Sequence, residues 1–68
     1  MKTFEKVLEI FREYLDCDRE EEVLKCSQGY LRVTWNGTSR FCVDGILSRT
    51  PDELFEVLLS DYSSYELI

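Results

Sequence analysis

The 68-residue chain has no histidine, one proline, one tryptophan, one methionine and three glycines. Without histidine it lacks the commonest general base, the commonest neutral metal ligand, and every Ser-His or Cys-His nucleophile pair. Any catalysis would have to rest on carboxylates or a lone thiol. No apolar run is long enough to span a membrane. The first residues do not form the charged-then-apolar pattern of a signal peptide, so the expected location is cytoplasmic. Cysteine is sparse and odd in number: Cys17, Cys26 and Cys42 show no CxxC spacing and cannot all pair. Their separations match no zinc module, and they read as small buried hydrophobes. Basic charge is short as well. Eight Lys and Arg against fourteen Asp and Glu give −6, which should repel nucleic acid and anionic membranes.

What is present suffices for one small domain, residues 1–68. Hydrophobic residues make up 44% and aromatics 13%, enough for a packed core and too much for disorder. A chain of this length buries only about 60% of its unfolded surface, so its core is marginal unless something extends it. The charge is concentrated. Glu13 to Glu22 hold six acids (Glu13, Asp16, Asp18, Glu20, Glu21, Glu22) and one base, Arg19, so −5 of the −6 sits within ten residues.

The expected elements follow from periodicity. Phe4, Val7, Leu8, Phe11, Tyr14 and Leu15 recur at three- and four-residue steps and predict an amphipathic helix over 3–15. Residues 16–22 admit two readings. Asp18 and Glu21 form a capping box for a short helix, or the segment is a charged loop before a strand at 22–27, which the alternation of Leu24 and Cys26 favours. Tyr30-Leu31-Arg32-Val33-Thr34-Trp35 alternates strictly and anchors a strand over 30–36. Leu31, Val33 and Trp35 are expected on the buried face. A two-residue turn at Gln28-Gly29 would set Ser27 opposite Tyr30 and Lys25 opposite Arg32. A third strand is expected over 39–43 with Phe41 and Val43 inward, ended by Asp44-Gly45. Parity then requires an odd loop, Asn36-Gly37-Thr38, or a bulge. Thr50-Pro51-Asp52-Glu53 is a complete N-terminal signature, predicting a helix over 51–62 with Leu54, Phe55, Leu58 and Tyr62 inward.

The fold class is therefore α+β, ordered α-β-β-β-α, with two helices packed on one face of a three-stranded antiparallel meander. The open face should show Val23, Lys25, Tyr30, Arg32, Thr34, Arg40 and Cys42.

The candidate chemistry is thin. Asp16-Cys17-Asp18-Arg19-Glu20 opens like a calcium loop, but Glu21 stands where that loop needs glycine and Ser27 where it needs a bidentate acid. Asn36-Gly37-Thr38 matches a glycosylation acceptor and reads as a turn. No cofactor, metal or catalytic residue is expected, and the chain reads as non-enzymatic. Two surfaces remain. The acids Asp16, Asp18, Glu20, Glu21 and Glu22 form a docking surface for a basic protein partner. The alternative is a homo-oligomeric structural or regulatory module that uses either the sheet face carrying Lys25, Tyr30, Arg32 and Arg40 or the C-terminal segment Tyr62 to Ile68.

The order of elements resembles a double-stranded-RNA-binding domain in topology. That family places lysines at the start of its last helix, where this chain has the acidic Thr50-Pro51-Asp52-Glu53, so RNA binding is rejected. A second resemblance rests on Thr3-Phe4-Glu5-Lys6-Val7 running into Ile10-Phe11 and Tyr14-Leu15. It continues through Gly29-Tyr30 before Trp35, then Thr50-Pro51-Asp52 before Leu58-Leu59 and Tyr62. In these positions the chain resembles small uncharacterised proteins of phages and integrative mobile elements of gut Firmicutes. The resemblance spans most of the chain through core and capping residues. It implies a mobile-element accessory protein that binds, and by analogy inhibits, a host protein.

Overall fold

A computed structural model describes residues 3–18, 20–35 and 42–66. In chain order it contains α1 (Phe4–Ile10), α2 (Arg12–Cys17), β1 (Glu21–Cys26), β2 (Gly29–Trp35), β3 (Cys42–Ser48) and α3 (Pro51–Glu66). The three strands form one antiparallel sheet in the order β1-β2-β3, with the helices on one face. The expected α+β class and element order are what the chain adopts.

The helices begin where local chemistry says they should. Thr3 Oγ1 accepts from the Lys6 amide at 3.1 Å, satisfying one orphan donor at the start of α1. At α3 the capping box is complete: the Glu53 amide donates to Thr50 Oγ1 at 3.2 Å, and the Thr50 amide donates to Glu53 Oε1 at 3.1 Å. Glu53 Oε1 also accepts from the Arg49 amide at 2.9 Å. The expected first helix differs by a break at Phe11 (φ −101°, ψ 12°), which divides it into α1 and α2. Phe11 there is buried, with its ring 5.5 Å from Phe55 and 6.4 Å from Tyr62. α3 runs past its expected end to Glu66, because Tyr62 and Tyr65 both pack on Tyr14, at 5.7 and 5.3 Å.

The sheet departs from expectation in register. Cys26 pairs with Gly29 and Lys25 with Tyr30, so Ser27-Gln28 is the turn and Gly29 lies in the ladder. Gly29 has φ 140°, and a Cβ there would stand 2.2 Å from the Ser48 carbonyl oxygen; glycine serves that close approach of β3. β3 is displaced towards the C-terminus, spanning Cys42–Ser48 instead of 39–43. Asp44-Gly45 does not stop it: Gly45 pairs with Val33, and Asp44 Oδ1 takes the Gly45 amide at 2.9 Å. Trp35 pairs with Cys42 and Thr34 with Asp44, so Val43 is a bulge, the other solution that parity allowed. The expected loop Asn36-Gly37-Thr38 lies outside the described residues.

Sheet polarity is the reverse of the expected one. The buried cluster is Val7, Phe11, Leu54 and Leu58, and the sheet residues packed against it are Val23 and Tyr30. Tyr30 stacks on Phe4 with ring centroids 4.5 Å apart, and Arg32, only 5% exposed, reaches Asp61 on α3. Residues 30, 32 and 34 therefore face the helices. Leu31, Val33 and Trp35 face away from them.

Candidate functional site

Two groupings follow from this polarity. The first is a buried polar cluster between sheet and helices. Arg32 Nε lies 3.1 Å from Asp61 Oδ2, and its terminal nitrogens reach Asp44 Oδ2 at 3.6 Å and the Thr34 hydroxyl. The Arg32–Asp61 approach is an ion pair whose direction does not suit a hydrogen bond. Arg32 Nε, Asp61 Oδ2 and Glu21 Oε2 are all buried without a hydrogen-bond partner among the described residues. Glu21 belongs to this cluster. Burial, and then the neighbouring Asp61 carboxylate, push its carboxyl up to about 7, against the opposing pull of Tyr14 and Arg32. A proton on Glu21 supplies the donor that the two carboxyls lack. Tyr14 donates to Asp18 Oδ2 at 3.0 Å, and its hydroxyl is pushed up by burial first and then by Glu21 and Asp18. A carboxyl titrating near neutrality is what a general acid requires. Here, however, the cluster holds α3 to the sheet: the grooves on the helical side are lined by Tyr14 and not by Glu21 or Asp61.

The second grouping is the sheet face that no described helix covers. Alternation and pairing place Glu22, Leu24 and Cys26 of β1 on it, with Leu31, Val33 and Trp35 of β2 and Cys42, Gly45 and Leu47 of β3. It is the more apolar side of the sheet. Glu22 is the one charged residue that the described strands contribute, and its Oε1 accepts from Trp35 Nε1 at 3.0 Å. Val33 is buried, Leu31, Trp35 and Leu47 are half-buried, and Leu24 is 38% exposed. The whole molecule measures 16 Å along its shortest principal axis, room for one helical layer on one sheet.

The expected site residues are dispersed. Of the acidic run, Asp16 and Glu20 are exposed. Asp18 is a joint, accepting from the Tyr14 hydroxyl and from the Glu20 amide at 3.2 Å. Glu21 points into the polar cluster and Glu22 lies on the opposite face. Strand alternation separates the last two, so the five acids do not make one surface. On the alternative face, Lys25 is exposed, but Tyr30 and Arg32 lie under the helices, and Arg40 is outside the described residues. Cys42 sits with Trp35 on the face that no described helix covers. All three cysteines are free and exposed, contrary to the buried reading. Among the described residues no three Cys, Asp or Glu converge as a metal site, and no helix is long and apolar enough to cross a membrane.

Sequence reasoning missed Asp44 and Asp61 as partners of Arg32, and with them the polarity of the sheet. One signal was present. Asp61 follows Leu54 and Leu58 on the same helical stripe, and an acid in a core stripe calls for a cation on the surface that it meets.

A groove of about 340 Å³ runs along the helical side between the α1–α2 joint and α3, lined by Ile10, Phe11, Tyr14, Phe55, Leu59 and Tyr62 with Glu13 at its rim. It lies among the helices, so it does not hold a ligand between helices and sheet.

These features define a two-layer α+β protein with one apolar sheet face that no described helix covers. Compared with protein-family models, with curated proteins and with solved structures, the chain matches none.

Proposed function

We propose that this chain is a non-enzymatic protein-interaction module that works through the apolar sheet face that no described helix covers. One observation carries the reading: the described helices cover the side of the sheet holding Arg32 and Thr34, and none of them covers the more apolar side holding Leu24, Leu31, Val33, Trp35 and Leu47. A sheet must bury its apolar face against another layer, so the apolar side that no described helix covers is the side offered to a partner. The acidic-docking expectation finds less support, because Glu21, Glu22 and Asp18 are committed to three different places. In the setting that the resemblance to mobile-element proteins implies, the module serves an accessory protein acting on a host protein.

The test is a parallel capture from lysate with three baits: the natural chain, a Leu24→Lys/Leu47→Lys variant, and an Asp16→Asn/Glu20→Gln variant. Proteins retained by the first and third but lost by the second are the expected result. Identical retention on the natural and lysine baits removes the sheet face as the contact. Selective loss on the neutralised bait returns the contact to the acids.

A further inference from the structure

We infer that the groove between the α1–α2 joint and α3 is a second contact surface, and that it takes a basic amphipathic helix of a protein partner. The inference goes beyond the sheet-face reading, because the groove lies on the helical side of the molecule and shares no residue with that face.

The first argument is exposure. Ile10 (57% exposed), Leu59 (40%) and Tyr62 (38%) line the groove, and Tyr65 (43%) continues the surface past Tyr62. Of the seven large hydrophobic side chains exposed among the described residues, these are four, gathered in one place where single ones would need no explanation. Buried Phe11 and half-buried Phe55 also line the groove, with ring centroids 5.5 Å apart.

The second argument is charge. The helices carry nine acids and two bases, whereas the strands carry three acids and two bases. α3 has no Lys or Arg, and the two helical bases, Lys6 and Arg12, do not line the groove. Glu13 is the one charged residue that does. Exposed Glu9 precedes Ile10, and exposed Glu56 stands one turn before Leu59. An apolar groove set in this field attracts a cationic partner. A second copy of the chain would bring the same acids against it, which disfavours that occupant.

The third argument is arrangement. A smaller hollow of about 190 Å³ adjoins the groove, lined by Glu13, Tyr14, Cys17, Tyr62 and Tyr65. The Tyr14 ring meets those of Tyr62 and Tyr65 edge to face at 5.7 and 5.3 Å, and Glu13 borders both hollows. Tyrosine rings beside a carboxylate suit a Lys or Arg head group, through cation–π attraction and an ion pair. Along α3 the centres of the two hollows are roughly 7 Å apart, within reach of side chains one turn apart on a partner helix. An apolar residue therefore enters the groove, and a base at i+4 enters the tyrosine hollow. From Phe55 to Tyr65 the surface runs about 15 Å, the length of about three helical turns. Helices bound the groove, so it offers an extended peptide no strand edge, and its exposed lining encloses a small molecule poorly.

The experiment is a fluorescence-anisotropy titration of the chain into three labelled peptides of about fourteen residues. One is a Leu/Lys peptide with leucines spaced i, i+3, i+4 and i+7, one a scramble of it without a stripe, and one a Leu/Glu peptide with the same stripe. The variants are Leu59→Ser, Ile10→Ser and Glu13→Gln at exposed positions, with Leu24→Lys on the sheet face as comparison, each checked for folding by circular dichroism. The striped Leu/Lys peptide should bind at least tenfold tighter than the other two. Each groove variant should weaken it about fivefold or more, Leu24→Lys should leave it unchanged, and added salt should weaken it.

No binding of the striped Leu/Lys peptide overturns the inference, as does equal affinity for its scramble, which reduces the contact to net charge. Affinity unchanged in both Leu59→Ser and Ile10→Ser also overturns it. Weakening by Leu24→Lys alone moves the peptide to the sheet face, which removes the groove and keeps the sheet-face reading. A two-chain mass in sedimentation that Leu59→Ser abolishes gives the groove to a second copy and removes the basic helix. Failure of the sheet-face capture, with groove binding as expected, removes only the sheet-face reading.

Discussion

At the scale of single residues, Gly29 and Arg32 do what their types are suited for, in places that the alternation did not reveal. Gly29 combines φ 140° with a Ser48 carbonyl 2.2 Å from where a Cβ would be. Gly29→Ala must move β3 or strain the backbone, and should cost about 2–4 kcal/mol in urea unfolding. A loss under about 1 kcal/mol would show that the two strands separate there without penalty. Arg32 is the cation facing Asp61 and Asp44, with its side chain 6% exposed. Arg32→Leu leaves Glu21 and Asp61 buried together without a counter-charge and should cost about 3 kcal/mol. Arg32→Leu/Asp61→Leu should recover part of that loss, and a double-mutant cycle measures the coupling. Strictly additive losses would mean that the ion pair does not hold α3. The residue pattern was legible to the extent that it told one face from the other. It could not say which face is covered, because period-2 alternation is symmetric until the helices choose a side, and here ionic partners on β3 and α3 made the polar face the covered one.

At the scale of elements, what is local was readable and what is long-range was not. Thr50, Pro51 and Glu53 specify the start of α3 within four residues, and the capping box forms as those residue types require. The end of β3 was misplaced because Asp44-Gly45 has the composition of a turn. In the sheet Gly45 pairs with Val33, and Asp44 is held by Arg32 instead of turning the chain. The third strand is thus positioned by pairing with β2, a contact that no window of its own sequence contains. The same distinction makes a prediction about capping. Thr50→Ala should destabilise by about 1 kcal/mol, since the Glu53 amide loses its acceptor. Thr3→Ala should cost less, because α1 is seven residues long and held mainly by Val7, which is fully buried. Equal losses from the two substitutions in chemical denaturation would contradict this ranking.

At the scale of the whole molecule, the polar cluster makes stability depend on pH in a direction unusual for a carboxylate. Glu21 titrates near 7 in the folded chain, against its ordinary 4.5, because burial and then the Asp61 carboxylate oppose its charge. Between those values the folded state holds a proton that the unfolded state has released, so stability falls as pH rises through the interval and levels off above it. Glu21 is only partly buried, so solvent screening reduces the effect to about 1–2 kcal/mol between pH 5 and pH 8. Salt-bridged carboxylates generally give the opposite slope, because their folded-state values are depressed and acid removes their contribution. The way to isolate Glu21 is to compare urea midpoints of the natural chain and Glu21→Gln at both pH values. Glutamine keeps the shape and can donate to Asp61, so the variant should match the natural chain near pH 5 and exceed it at pH 8. If the two proteins keep the same difference at both pH values, Glu21 stays ionised throughout, and Arg32 then compensates Glu21 and Asp61 together.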